Sequence, residues 1–157
     1  MENLTRIASF SVNHDFITEG IYISRIDGDI TTYDMRTRVP NNPSDDYMSN
    51  LTMHSFEHLF ATYVRNSEIG SRVIYFGPMG CQTGFYLLVR NSDDEETLKV
   101  VISTLEKILD HKGDVPGAKR EECGNYKNLD LASAKAEAKK YLDVLLSKEW
   151  NFKYPEV

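Results

Sequence analysis

Five consecutive residues, His54-Ser55-Phe56-Glu57-His58, set the strongest constraint on how this chain folds. Residues four apart on an α-helix lie one above the other on a single face, so a helix brings both imidazoles to one ion and leaves Glu57 on the same side. The order H-x-x-E-H is the inverted zincin-type pattern. The competing explanation for so short a match is a surface helix that happens to carry two histidines. The surroundings weigh against that. At 100° per residue, a helix from about Asn50 to Asn66 puts Met53, Phe56, Phe60, Tyr63 and Val64 on an apolar face. His54, His58 and the small Ala61 fall on the adjoining face with Glu57 at the seam, so the histidine stripe borders the core and suits a cleft.

The other elements follow from local signals. Ile21–Ile26 and Ile30–Arg36 are β-rich runs flanking Asp27-Gly28-Asp29 and read as a hairpin. Arg72–Phe76 and Gly84–Val89 are two more strand-like runs, joined by a tight glycine- and proline-bearing connection that holds Cys81. Ser92-x-x-Glu95 has the form of a capping box, and apolar residues from Leu98 to Leu109 keep helical spacing up to Lys112-Gly113. Asp130 is expected to cap a last helix through Lys148, and the aromatic tail Trp150, Phe152 and Tyr154 to pack on the fold in preference to the alternative, a second subunit. His111 falls in the last turn of its helix, where a cation favours the dipole, and receives no function. The order of elements predicts one α+β domain over residues 1–157, an antiparallel sheet covered by helices.

Composition narrows the partners. A chain of 157 residues has room for one compact core, and its net charge of −6 without basic runs argues against a nucleic-acid backbone. No segment has the length or apolarity of a membrane span, and Met1 to Phe16 contains no apolar block of signal-peptide type, so a cytoplasmic location is expected. Two cysteines, Cys81 and Cys123, could pair, but in a reducing compartment catalysis or metal binding is the better default.

Three separated motifs then carry a resemblance. His54-Ser-Phe-Glu57-His58-Leu-Phe-Ala61, Gly77-Pro-Met-Gly-Cys81-Gln-Thr-Gly-Phe85 and Glu122-Cys123-Gly124-Asn125-Tyr126, in that order, resemble the S-ribosylhomocysteine lyase family of bacterial quorum-sensing enzymes. Ser9-Phe10 with His14, and Asp34-Met-Arg36 followed by Pro40-Asn41, extend the match over nearly the whole chain. The resemblance implies a homodimer with one divalent metal per subunit, iron(II) in the native state and often zinc after purification. His54, His58 and Cys123 would hold it, and two imidazoles with one thiolate do leave a fourth position open, as in a catalytic metal centre. The thiolate also favours a borderline or soft ion over magnesium or calcium. Glu57 and Cys81 match the family's acid/base residues, Arg36 a residue that assists Cys81, and Ser9 and His14 substrate-binding positions supplied across the dimer interface.

The implied reaction cleaves the thioether of S-ribosylhomocysteine to homocysteine and 4,5-dihydroxy-2,3-pentanedione, the autoinducer-2 precursor, with no redox cofactor. The metal would polarise the ring-opened sugar while Cys81 and Glu57 moved protons on opposite sides of an enediolate. Two departures, Tyr75 where some members carry aspartate and Thr37-Arg38-Val39 after Arg36, bear on substrate contacts more than on the metal. Two other readings compete: an inverted zincin-type metalloprotease, with Glu121 or Glu122 as third ligand in place of Cys123, and a metal-binding regulatory or storage module without turnover.

Overall fold

The computed structural model describes residues 3–155; Met1 and Glu2 of the N-terminal stretch, and the last two residues, lie outside it. Four strands, β1 (Gly20–Asp27), β2 (Ile30–Arg36), β3 (Val73–Pro78) and β4 (Gly84–Arg90), form one antiparallel sheet in the order β1-β2-β4-β3. The β1–β2 hairpin turns on Gly28, whose φ of 61° suits a residue without a Cβ. Three helices, α1 (Asn50–Arg65), α2 (Asp94–Asp110) and α3 (Leu131–Leu146), complete an α+β architecture.

Alternation along the strands divides the sheet into two faces. Ile21, Tyr33, Met35, Phe85, Leu87 and Val89 point into the core beneath the helices. Tyr22, Asp34, Arg36 and Tyr86 belong to the opposite face, with Tyr22 level with Asp34 and Asp34 level with Tyr86. On the core side, Phe56 and Phe60 of α1 stack against Phe85 and Phe76, with ring centroids 4.7 and 4.4 Å apart, and Phe76 stacks on Phe85 at 5.1 Å. Such pairs contribute about 0.5–1.5 kcal/mol each beyond their area. They fix the rotation of α1 about its axis, and with it the direction of its histidines. The apolar face expected for this helix is buried, except that Tyr63 is only partly so, and Leu59 and Ser55 join it.

Helix boundaries follow caps. Ser49 caps α1, its Oγ accepting from the Thr52 N–H, and Asp130 caps α3 through Ser133. The cap of α2 is Asp93 instead of Ser92: Asp93 Oδ1 accepts from the Glu96 N–H at 2.9 Å. The motif repeats one residue later as Asp93-x-x-Glu96, and the Ser92 hydroxyl is occupied with the Tyr33 phenol at 2.9 Å. Asp93→Ala is therefore expected to cost about 1 kcal/mol in urea denaturation, the usual value of an N-cap. At the other end α2 stops at Asp110, so His111 lies just past the last turn, its Nδ1 2.7 Å from the Tyr63 phenol and its Nε2 2.8 Å from the Asp114 carbonyl.

The aromatic tail packs on the fold. The Ile23 N–H donates to the Phe152 carbonyl at 2.8 Å, and Phe152, at a φ of 62°, turns its ring into the core. Tyr154 reaches the other face, stacks on Tyr22 at 5.0 Å and donates to Asp34. Among the described residues, no helix is long and apolar enough to cross a membrane.

Candidate metal and cysteine sites

Helix α1 presents His54 and His58 with ring centroids 4.6 Å apart. Each ring is aimed by a backbone carbonyl of the 111–130 loop. His54 Nδ1 lies 2.8 Å from the Asn128 carbonyl and His58 Nδ1 2.7 Å from that of Pro116. A carbonyl only accepts, so both Nδ1 atoms donate, and it is Nε2 that carries the lone pair in the neutral ring. Such outer partners fix the tautomer a metal ligand needs. The loop comes this close because residue 117 is glycine, with a φ of 74°, and a Cβ there would sit 3.0 Å from His58 Nδ1.

The same loop delivers Cys123, whose Sγ lies 3.4 Å from His54 Nε2 and accepts the Asn125 N–H at 3.4 Å. One ligand atom from each of His54, His58 and Cys123 falls within 4.8 Å of the others. Two neutral imidazoles and one sulfur at that separation fit a tetrahedral ion with one open position. Both cysteines are free thiols. Glu121 and Glu122 are exposed and stand outside this group. Glu57, partly buried one residue from His58, lines a cavity of about 260 Å³ together with Asn50, Met53, His54, Pro78, Asn125 and Asn128.

Cys81 sits in the turn between β3 and β4. The Met79 N–H donates to the Gly84 carbonyl at 2.8 Å to close that turn, and Gln82, at a φ of 65°, anchors it. Gln82 Nε2 donates to the Met48 carbonyl at 2.8 Å, while the Met48 N–H donates back to the Gln82 carbonyl at 3.1 Å. The Thr37 and Arg38 N–H groups both donate to the Thr83 carbonyl. A second cavity, about 350 Å³, is lined by Cys81, Arg36, Ser9 and His14 together with Phe10 and Tyr86. Ser9 and His14 thus stand beside Cys81 and Arg36 of their own chain. Among the described residues, Pro78 alone lines both cavities.

Arg36 is 2 % exposed and pairs with Asp34 through two hydrogen bonds, Nε to Oδ1 at 3.1 Å and Nη2 to Oδ2 at 2.6 Å. Burial is the largest influence and works against its charge, but the Asp34 carboxylate, together with Cys81 and Tyr154, raises its proton affinity overall.

The chain has relatives. The family model described as S-Ribosylhomocysteinase (LuxS) matches residues 7–152. The chain belongs to the S-ribosylhomocysteine lyase family. Proteins named S-ribosylhomocysteine lyase from Borreliella afzelii (strain PKo) and Finegoldia magna are each 41% identical to it, over 97% and 98% of this chain and 100% of their own length. One from Clostridium beijerinckii is 41% identical over 97% of this chain and 99% of its own.

Within this lyase-family fold, several participants carry no mark in the sequence. The carbonyls of Asn128 and Pro116 aim the histidines, yet any residue type could supply a carbonyl. Asp34 had a readable signal, because residues two apart on a strand share a face and Asp34 and Arg36 have opposite charge. Thr83 and Tyr154 could not be linked to them from spacing.

Proposed function

We propose that this chain is a metal-dependent carbon–sulfur lyase that cleaves S-ribosylhomocysteine to homocysteine and 4,5-dihydroxy-2,3-pentanedione. The observation that carries the reading is the convergence of His54, His58 and Cys123 on one point with Glu57 beside them, in a member of this family. The three ligands would hold one divalent ion, iron(II) or zinc by donor type, and when bound it supplies Lewis-acid polarisation of the substrate carbonyl. The protein's own groups do the rest. Glu57 and Cys81 act as acid/base pair, taking a proton from one sugar carbon and returning it to the next, so that the carbonyl walks from the first carbon to the third. The proton on the fourth carbon is then acidic; its removal breaks the bond from the fifth carbon to sulfur, and homocysteine leaves as the thiolate. Arg36 supports Cys81, and Ser9 and His14 bind substrate.

We take the active form to be a homodimer in the cytoplasm, the chain acting as one lyase-like domain; Ser9 and His14, expected across the interface, line the Cys81 cavity of their own chain and are assigned to substrate binding there. The outer sheet face supports the homodimer: Ile7, Ile74 and Tyr75 are exposed there or beside it, and Ile7, Ser24, Thr32, Tyr75 and Leu88 line a shallow apolar groove. No nucleic acid or membrane enters the scheme.

Incubating anaerobically purified, metal-loaded protein with S-ribosylhomocysteine is expected to release free thiol. Bound metal with no thiol above background defeats the reading and leaves a storage or regulatory module. Cobalt substitution is expected to show a thiolate-to-metal charge-transfer band; its absence supports carboxylate ligation and the metalloprotease chemistry.

A further inference from the structure

A guanidinium has hydrogen-bond donors and no acceptor. Arg36 Nη1 lies 2.8 Å from Thr83 Oγ1, so the threonine oxygen accepts that bond, and its own single proton is left for another neighbour. Cys81 Sγ, 2.9 Å away, is within reach of that proton. Thr83 is 1 % exposed, so bulk water does not compete for the proton. A hydroxyl proton aimed at sulfur favours the thiolate over the thiol.

The orientation of Arg36 is itself determined. Asp34 takes its Nε and Nη2, which turns Nη1 toward Thr83. Asp34 Oδ2 also accepts from the Tyr154 phenol at 2.7 Å, although the tail is 120 residues away in sequence. Burial first, and the Asp34 charge second, raise the proton affinity of Tyr154, so it remains a donor throughout the working pH range. By drawing carboxylate density toward itself, the phenol leaves more of the Arg36 field to the threonine side.

We propose that Thr83 is a further functional residue of the cysteine site, donating its hydroxyl proton to the Cys81 sulfur, and that Asp34 and Tyr154 are positioning residues that set this polarity through Arg36. The inference rests on Cys81 being the proton carrier of the reaction, but its test needs no substrate.

The experiment is alkylation of metal-loaded protein by iodoacetamide across about pH 5 to 10, followed by mass on the Cys81 peptide, which separates it from Cys123. Thr83→Val is expected to raise the midpoint of Cys81 alkylation by about one pH unit, the usual value of a hydrogen bond to a charged group. Thr83→Ser, which keeps the hydroxyl, is expected to stay within about 0.3 unit of the parent. An unchanged midpoint in folded Thr83→Val overturns the proposal. Should that variant not fold, Tyr154→Phe decides: a rise of about 0.3–0.5 unit supports the relay and no rise overturns it. Failure of the lyase reading shows separately, as absent thiol release from a protein whose midpoints still shift.

Discussion

Cys123→Ala is expected to purify without its metal and to release no thiol from S-ribosylhomocysteine, whereas Cys81→Ala keeps the metal and loses the activity. The two cysteines separate because they sit in different structures. Cys123 Sγ is 3.4 Å from His54 Nε2 and belongs to the three-atom cluster; Cys81 lines the other cavity, beside Arg36. With only three protein ligands, deleting one should lower affinity by more than the roughly 10–100-fold typical of losing an outer-shell partner. Deleting Cys81 should cost about 10²–10⁴-fold in turnover, the ordinary worth of a positioned acid/base group. Metal content by mass spectrometry and thiol release, measured on the same preparations, check both halves. Full turnover by Cys81→Ala would sink the proton-transfer role, and retention of a full metal complement by Cys123→Ala would remove the thiolate from the ligand set.

How far the sequence reveals such a site depends on whether the constraint is local. The i, i+4 histidines and the aromatic stripe of α1 obey one helical period, so both the element and the face it turns to the cleft are legible. The hairpin is legible because Asp27-Gly28-Asp29 contains the residue its positive φ needs. The cap of α2 shows the limit of such rules: Ser92 and Asp93 both suit the position, each with a glutamate three residues on, and the Tyr33 phenol across the fold claims Ser92. Long-range partners leave less trace still. Phe152 and Tyr154 have no period, yet one fills the core and the other bonds Asp34, because the chain turns at Phe152 along the edge of β1. The carbonyls that aim His54 and His58 are invisible in principle, since the side chains of Asn128 and Pro116 do not make those bonds.

Asp34→Ala is expected to be the most destabilising of the substitutions considered, by about 3–5 kcal/mol. The Arg36 and Asp34 side chains are 3% and 0% exposed, so removing the carboxylate leaves a guanidinium charged and without its counter-ion beneath the tail. Arginine cannot escape by losing its proton, which distinguishes this case from a buried lysine. The Tyr154 phenol loses its acceptor at the same time, so the tail that covers this side of β1 and β2 is loosened as well. For a domain of this size the loss corresponds to roughly 6–20 °C in Tm at about 2–4 °C per kcal/mol. Urea denaturation monitored by circular dichroism measures it, with Asp34→Ala/Arg36→Met as the control. Removing both charges together should recover most of the stability, because an apolar side chain of similar length can fill the space without a charge to bury. If the double variant is as unstable as Asp34→Ala alone, the cost lies in packing of the tail against Asp34. If it recovers while Cys81 remains poorly reactive toward iodoacetamide at neutral pH, the buried pair serves the thiol at the expense of a more stable apolar alternative.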